Sequence, residues 1–188
     1  MKYKNIFILL LLLIFTNEQF ACANTEELGK EKFNLITNND KAFNEKSLKG
    51  KISLLYFGFT FCPDVCPATL NNFSLALDEL TDSEKENLQF VFITVDPKRD
   101  DLKLMKEYMT NFNSNIIGVT GSEEEIDKII KSYKIYAVKV PNKENPKNYT
   151  VDHSTIIYII DREGKFISFL GHESKPEEIV KEIKKYLK

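Results

Sequence analysis

The stretch Ile52-Ser53-Leu54-Leu55-Tyr56-Phe57-Gly58-Phe59-Thr60-Phe61-Cys62-Pro63-Asp64-Val65-Cys66-Pro67 decides how this chain folds. Its first half, Ile52 to Phe59, is a nearly continuous apolar run of β-forming residues, the pattern of a central strand buried on both faces. Leu88 to Val95 (LQFVFITV) repeats that pattern, and between the two Leu70, Phe73, Leu77 and Leu80 recur at helical spacing. The order is therefore strand, helix, strand. On the amino side, Phe33 to Thr37 reads as a short strand before the turn-like Asn38-Asn39-Asp40.

On the carboxyl side, Leu102 to Phe112 reads as a second helix, Ile116 to Val119 as a short strand, and Ser122 to Tyr133 as a third helix opened by a Ser122/Glu125 capping box. Ile135 to Val140 is a further strand, and the polar loop Pro141 to Asn148 marks an excursion from the sheet. Thr155 to Ile160 and Lys165 to Leu170 form a hairpin around Asp161-Arg162-Glu163-Gly164. Lys175 to Leu187 closes the chain as an amphipathic helix with Ile179, Val180, Ile183 and Leu187 on one face. Alternation followed by a hairpin and a last helix gives an α/β fold, a mixed central sheet flanked by helices in the thioredoxin-like order. In such open sheets the functional site lies beyond the carboxyl ends of the strands, where Cys62 falls.

The chain has 188 residues, 43% hydrophobic, 29% charged and 12% aromatic, with only 7 Gly and 6 Pro. That excludes collagenous, low-complexity and wholly disordered classes. With 26 Lys+Arg against 28 Asp+Glu, it also lacks the basic excess of a nucleic-acid binder. Lys2 and Lys4, the apolar run Ile6 to Phe15 and the small residues Ala21-Cys22-Ala23 read as a secretory signal peptide over 1–23. Ten apolar residues rise only about 15 Å as a helix, half a bilayer core, which makes a retained anchor the weaker reading. Lipidation of Cys22 is weaker still, because Gln19 and Phe20 stand where a lipoprotein signal has an aliphatic and a small residue. Residues 24–188 then form a single domain whose only cysteines are Cys62 and Cys66.

Two cysteines four positions apart close too small a loop to act as a stabilising staple, so the pair is read as chemical. Pro63 and Pro67 disfavour the helical region for the residues before them, which predicts extended or turn-like cysteines with Pro67 at the first helical position. Cys66 then sits at a helix N-terminus, where the dipole favours its thiolate. Such a pair either clamps a soft ion or closes to a disulfide. His153, in Val151-Asp152-His153-Ser154-Thr155, precedes a strand whose entry faces the cysteine loop in a thioredoxin-like layout. Two thiolates and one neutral imidazole suit copper, above all Cu(I), better than a hard ion. His172, in a polar loop before the last helix, is read as solvated.

Tyr56 to Pro67 (YFGFTFCPDVCP), Thr94 to Asp100 (TVDPKRD), Gly118-Val119-Thr120-Gly121 and Tyr149 to Asp161 (YTVDHSTIIYIID) together resemble the Sco/SenC family of copper chaperones for cytochrome c oxidase assembly. The resemblance covers most of the chain after residue 23. It implies that Cys62, Cys66 and His153 are copper ligands, for Cu(I) or Cu(II), in a thioredoxin-like domain. It also implies delivery to the binuclear copper site of oxidase subunit II, an upstream copper donor protein, a thiol reductant as a further partner, and membrane proximity. The expected location is the periplasm, free or tethered to the inner membrane. Asp101 and Leu102 stand where the family often continues Thr-Pro, and Asp96 is open to three roles: a capped turn, a residue behind the ligands, or part of the recipient-facing surface.

Two rivals are enzymatic. A thiol-disulfide oxidoreductase would cycle Cys62 and Cys66 as its redox pair, but redox thioredoxins have two residues between their cysteines and a cis-proline at the strand entry, whereas three intervene here and Ser154 precedes Thr155. A peroxidase, suggested by Thr60 to Pro63, has no need of a second cysteine directly behind the first or of a histidine across the fold.

Overall fold

In the computed structural model, which describes residues 28–143, 145 and 148–187, the decisive run becomes strand β3 (Ile52–Gly58), every residue of it buried. The other strands are β1 (Asn34–Thr37), β2 (Ala42–Asn44), β4 (Leu88–Thr94), β5 (Ile116–Thr120), β6 (Ala137–Pro141), β7 (Tyr149–His153), β8 (Ile156–Ile160) and β9 (Phe166–Gly171). Helices α1 (Val65–Asp78), α2 (Asp82–Glu86), α3 (Leu102–Met109), α4 (Glu123–Ser132) and α5 (Pro176–Ile183) complete the described part, with a 3-10 turn at Glu45–Leu48. The leader read over 1–23, with Cys22, lies outside the described residues. Among those described, no helix is long and apolar enough to cross a membrane.

Seven strands form one sheet in the order β2-β1-β5-β4-β3-β8-β9. The β3–β4 and β4–β5 pairs are parallel and the rest antiparallel, which is the mixed sheet the element order implied. Alternation along β3 divides the core. Leu54 and Tyr56 join α1, α3 and α5 on one face through Phe73, Met105 and Ile183. Leu55 and Phe57 join α4 on the other through Ile126, Ile129 and Tyr133. Cys62 packs against both clusters, because it lies just past the strand end where the two layers meet.

Three local expectations change. Strands β6 and β7 pair only with each other, in an antiparallel ribbon outside the main sheet, so His153 ends a strand and does not lie in a loop before one. Helix α1 begins at Val65, two residues before the expected start at Pro67, which makes Cys66 helical. First-turn amides have no intrahelical acceptor, so Pro67 removes no hydrogen bond there, and Ala68 N–H still reaches the Asp64 carbonyl at 3.1 Å. At α4, Ser122 accepts from Glu125 N–H at 3.2 Å, but the Glu125 carboxylate turns to Asn34 N–H at 2.6 Å, leaving half of the expected box.

Candidate metal centre

Cys62 and Cys66 are both free thiols, the first half-buried and the second without solvent exposure. The Cys62 position is fixed by the strand end: its N–H donates to the Phe59 carbonyl at 3.2 Å. The neighbouring Thr60 gives its N–H and hydroxyl to the buried Asp100 carboxylate at 3.0 and 2.6 Å. Asp100 also accepts from the Thr94 hydroxyl at 2.6 Å, so one carboxylate ties the ends of β3 and β4 together. Cys66 is set by the first turn of α1, and its sulfur lies against β3 where Gly58 has no side chain.

His153 arrives from the ribbon. Its Nε2 stands 3.6 Å from Cys66 Sγ, and its Nδ1 is 2.9 Å from the Ser154 carbonyl. A carbonyl only accepts, so Nδ1 carries the proton and Nε2 presents its lone pair to the sulfurs. The Phe59 ring meets the imidazole edge-on at 5.6 Å and limits its rotation. The two sulfurs and an imidazole nitrogen all lie within 4.8 Å of one another, the one such group of possible metal donors among the described residues.

The thiols differ in a way opposite to the expectation from the helix dipole. Cys62 is held far below the ordinary thiol range, chiefly by the hydrogen bond from Cys66, with backbone amides adding to it. Cys66 is pushed up by that same hydrogen bond and by burial. The dipole favours the thiolate at Cys66, but full burial of an anion outweighs a surface-scale effect of this kind. The thiolate of the metal-free dithiol therefore belongs to Cys62.

What holds the ribbon in place is the Asp96–Arg99–Tyr149 cluster. Asp96 is fully buried, bonded to Arg99 Nε and, at 2.9 Å, to the Tyr149 hydroxyl; Lys139 Nζ lies 3.6 Å away. Arg99 Nη1 donates to the Tyr149 carbonyl at 2.7 Å, and its guanidinium stacks on the Tyr149 and Phe61 rings at 3.8 and 4.9 Å. Asp96 thus neither touches the three donors nor reaches the surface: it clamps the ribbon to the cysteine loop. The sequence reading missed Arg99 and Tyr149 in this role, although the alternation Tyr149, Val151, His153 against Thr150 and Asp152 was a strand signal. Asp101 caps α3, accepting from Leu104 N–H at 2.8 Å. His172 pairs with Glu173 at 2.6 Å, away from the donors.

Residues 22–188 match the SCO1/SenC family. The chain belongs to that family. Among SCO1/SenC proteins it is 40% identical over 152 residues to an SCO2-like protein of Rickettsia felis, spanning 81% of this chain and 74% of the relative. The copper-bound structure of ScoI from Bradyrhizobium japonicum superposes with a TM-score of 0.78 at 42% identity, covering 85% of this chain and 99% of that one. BsSco, described with a disulfide switch and as a member of the Sco family of cytochrome c oxidase assembly proteins, matches at TM-score 0.67 and 26% identity over 87% and 95% of the two chains.

Proposed function

We propose that this SCO1/SenC protein binds copper and serves cytochrome c oxidase assembly, holding the metal on Cys62, Cys66 and His153. The observation that carries this reading is the convergence of two sulfurs and one lone-pair-bearing nitrogen within 4.8 Å. A small soft donor set of this kind suits copper, and a 42% identical relative has been solved with copper bound. The cargo passes to the binuclear site of oxidase subunit II by ligand exchange, in which incoming cysteine and histidine donors replace those of this chain one at a time. No covalent bond in an organic substrate breaks. An upstream protein supplies the copper, and the work takes place in the periplasm, free or tethered to the inner membrane.

A dithiol redox duty is the second reading. It is favoured by two free, neighbouring thiols of unequal acidity and by the disulfide switch described for BsSco. One comparison separates the two. Replacing His153 with Ala should weaken copper binding by at least about 10–100-fold, the loss that even a residue behind a ligand causes, while dithiol oxidation by glutathione disulfide, which is reduced to two glutathione thiols, proceeds as in the wild type. Copper titration and absorption-edge spectroscopy measure the first, thiol counting the second. A variant that retains wild-type copper affinity removes His153 from the ligand set, and a wild-type chain that binds no copper leaves a plain dithiol protein. Transfer is read by mixing copper-loaded chain with the soluble domain of subunit II and recording the spectrum of its binuclear site.

A further inference from the structure

Tyr56 sits in the middle of β3 without solvent exposure, its ring edge-on to Phe73 at 6.2 Å and tilted over Phe92 at 6.1 Å. Phenylalanine would fill that aromatic surround as well, so the hydroxyl is the feature that needs a reason. A buried hydroxyl without a partner is costly. Here the Tyr56 hydroxyl donates to Cys66 Sγ at 3.7 Å. The Thr69 hydroxyl, which also lies beside Tyr56, commits its own proton to the Val65 carbonyl at 2.9 Å. The phenol thus approaches the sulfur from the core, while His153 Nε2 lies 3.6 Å from the same atom.

A hydrogen bond to a thiolate ligand withdraws electron density from the sulfur, and Cu(II), the harder ion, loses more by this than Cu(I). We propose that Tyr56 is a positioning residue of the copper centre, whose hydroxyl orients the Cys66 sulfur and biases bound copper toward Cu(I). The inference rests on the copper-carrying reading above and adds to it a residue that touches only a ligand.

The test is Tyr56→Phe, which keeps the ring and removes the donor. In the copper-loaded variant the sulfur-to-Cu(II) charge-transfer band should move to lower energy. The preference for Cu(II) over Cu(I) should rise about tenfold, a fall in potential of about 59 mV. Tyr108→Phe is the control: that hydroxyl is also buried but has no hydrogen-bond partner, and its removal should move neither quantity. If Tyr56→Phe does not fold, as judged by circular dichroism, replacing the 8 tyrosines with 3-fluorotyrosine makes each a stronger donor and should raise the potential instead. An unchanged band and potential in Tyr56→Phe carrying one copper, or an unmoved potential in the fluorinated protein, overturns the inference and leaves the copper reading standing. A wild-type chain that binds no copper overturns that reading itself, and the two failures are told apart before any variant is made.

Discussion

Replacing Gly58 with alanine should injure the fold and the metal centre together, because the added methyl group has no space. A Cβ at this position would lie 2.7 Å from Cys66 Sγ and 2.7 Å from a ring carbon of Phe92, where ordinary contact begins at 3.4 Å. Both sides must therefore retreat by about 0.7 Å in an interior packed like an organic crystal. Neither has an easy route. Phe92 is fully buried and flanked by the Tyr56 and Tyr108 rings, and Cys66 is fully buried in the first turn of α1. Overpacking of this kind costs about 1–3 kcal/mol, a fall in Tm on the order of 5 °C for a domain of this size. If the sulfur gives way it leaves the position from which it faces His153, and copper affinity should drop about 10–100-fold, as for other disturbances beside a ligand. Urea unfolding of the metal-free protein measures the first effect, and competition with a chromophoric Cu(I) chelator the second. A variant within about 0.5 kcal/mol of wild type in stability, with unaltered copper affinity, would refute the close packing of sulfur on strand. Lost stability with affinity retained would place the whole displacement on Phe92.

Arg99→Lys should keep a positive charge beside Asp96 but lose the planar fork that reaches the Tyr149 carbonyl while stacking on two rings. The expected result is faster amide exchange across 149–153 than in β3, with copper bound about tenfold more weakly; an even change along the chain would count against the clamp. For Asp100, burial pushes the carboxyl above the ordinary aspartate value of 3.8, although three hydrogen bonds oppose this. The folded state then keeps a proton that the unfolded chain releases. Its contribution to stability is full below 3.8 and declines as pH rises through the raised value. Urea melts across that interval should show the stability difference moving in favour of Asp100→Asn as pH increases, and a constant or opposite trend would refute the assignment.

How much of this was legible in the sequence depended on the range of the interaction involved. The continuous apolar runs at Ile52 and Leu88 and the helical spacing of Leu70, Phe73 and Leu77 place β3, β4 and α1, because burial imposes those periods locally. The turn at Asp161 to Gly164 was equally plain, since Gly164 adopts φ 87° and Asp161 gathers the turn amides. The ribbon was harder. Ile135 to Val140 reads as a strand, but β7 alternates over only five residues with Val151 alone buried, and nothing in either segment states that the two pair with each other outside the main sheet. The three donors could be picked out by residue type and order, but the division of acidity between the cysteines could not. Nothing local states that Cys66 is hydrogen-bonded to Cys62 and fully enclosed, and those two conditions together reverse the dipole argument.

The three donors differ in how firmly the fold holds them, and that difference bears on cargo exchange. Cys66 belongs to the rigid part: it is enclosed between α1 and β3 and contacted by the Tyr56 hydroxyl. Cys62 stands on the loop between them, half-buried, with Phe61 beside it 56% exposed. His153 rides on a two-stranded ribbon, an element that is at best marginally stable alone, joined to the body through the Arg99 cluster and the buried side chain of Val151. The proposed carrier role, in which the metal must be released, gains from this grading. An incoming donor can displace the imidazole by a movement of the ribbon alone, while both sulfurs keep their places and the seven-stranded sheet is undisturbed. On this argument the Asp96–Arg99–Tyr149 clamp sets the ease of release and the enclosed sulfur sets retention. Loosening the clamp should therefore speed copper transfer to an acceptor even as it weakens equilibrium binding. An Arg99→Lys protein that bound copper more weakly yet handed it over no faster in stopped-flow mixing would show that the ribbon does not govern release.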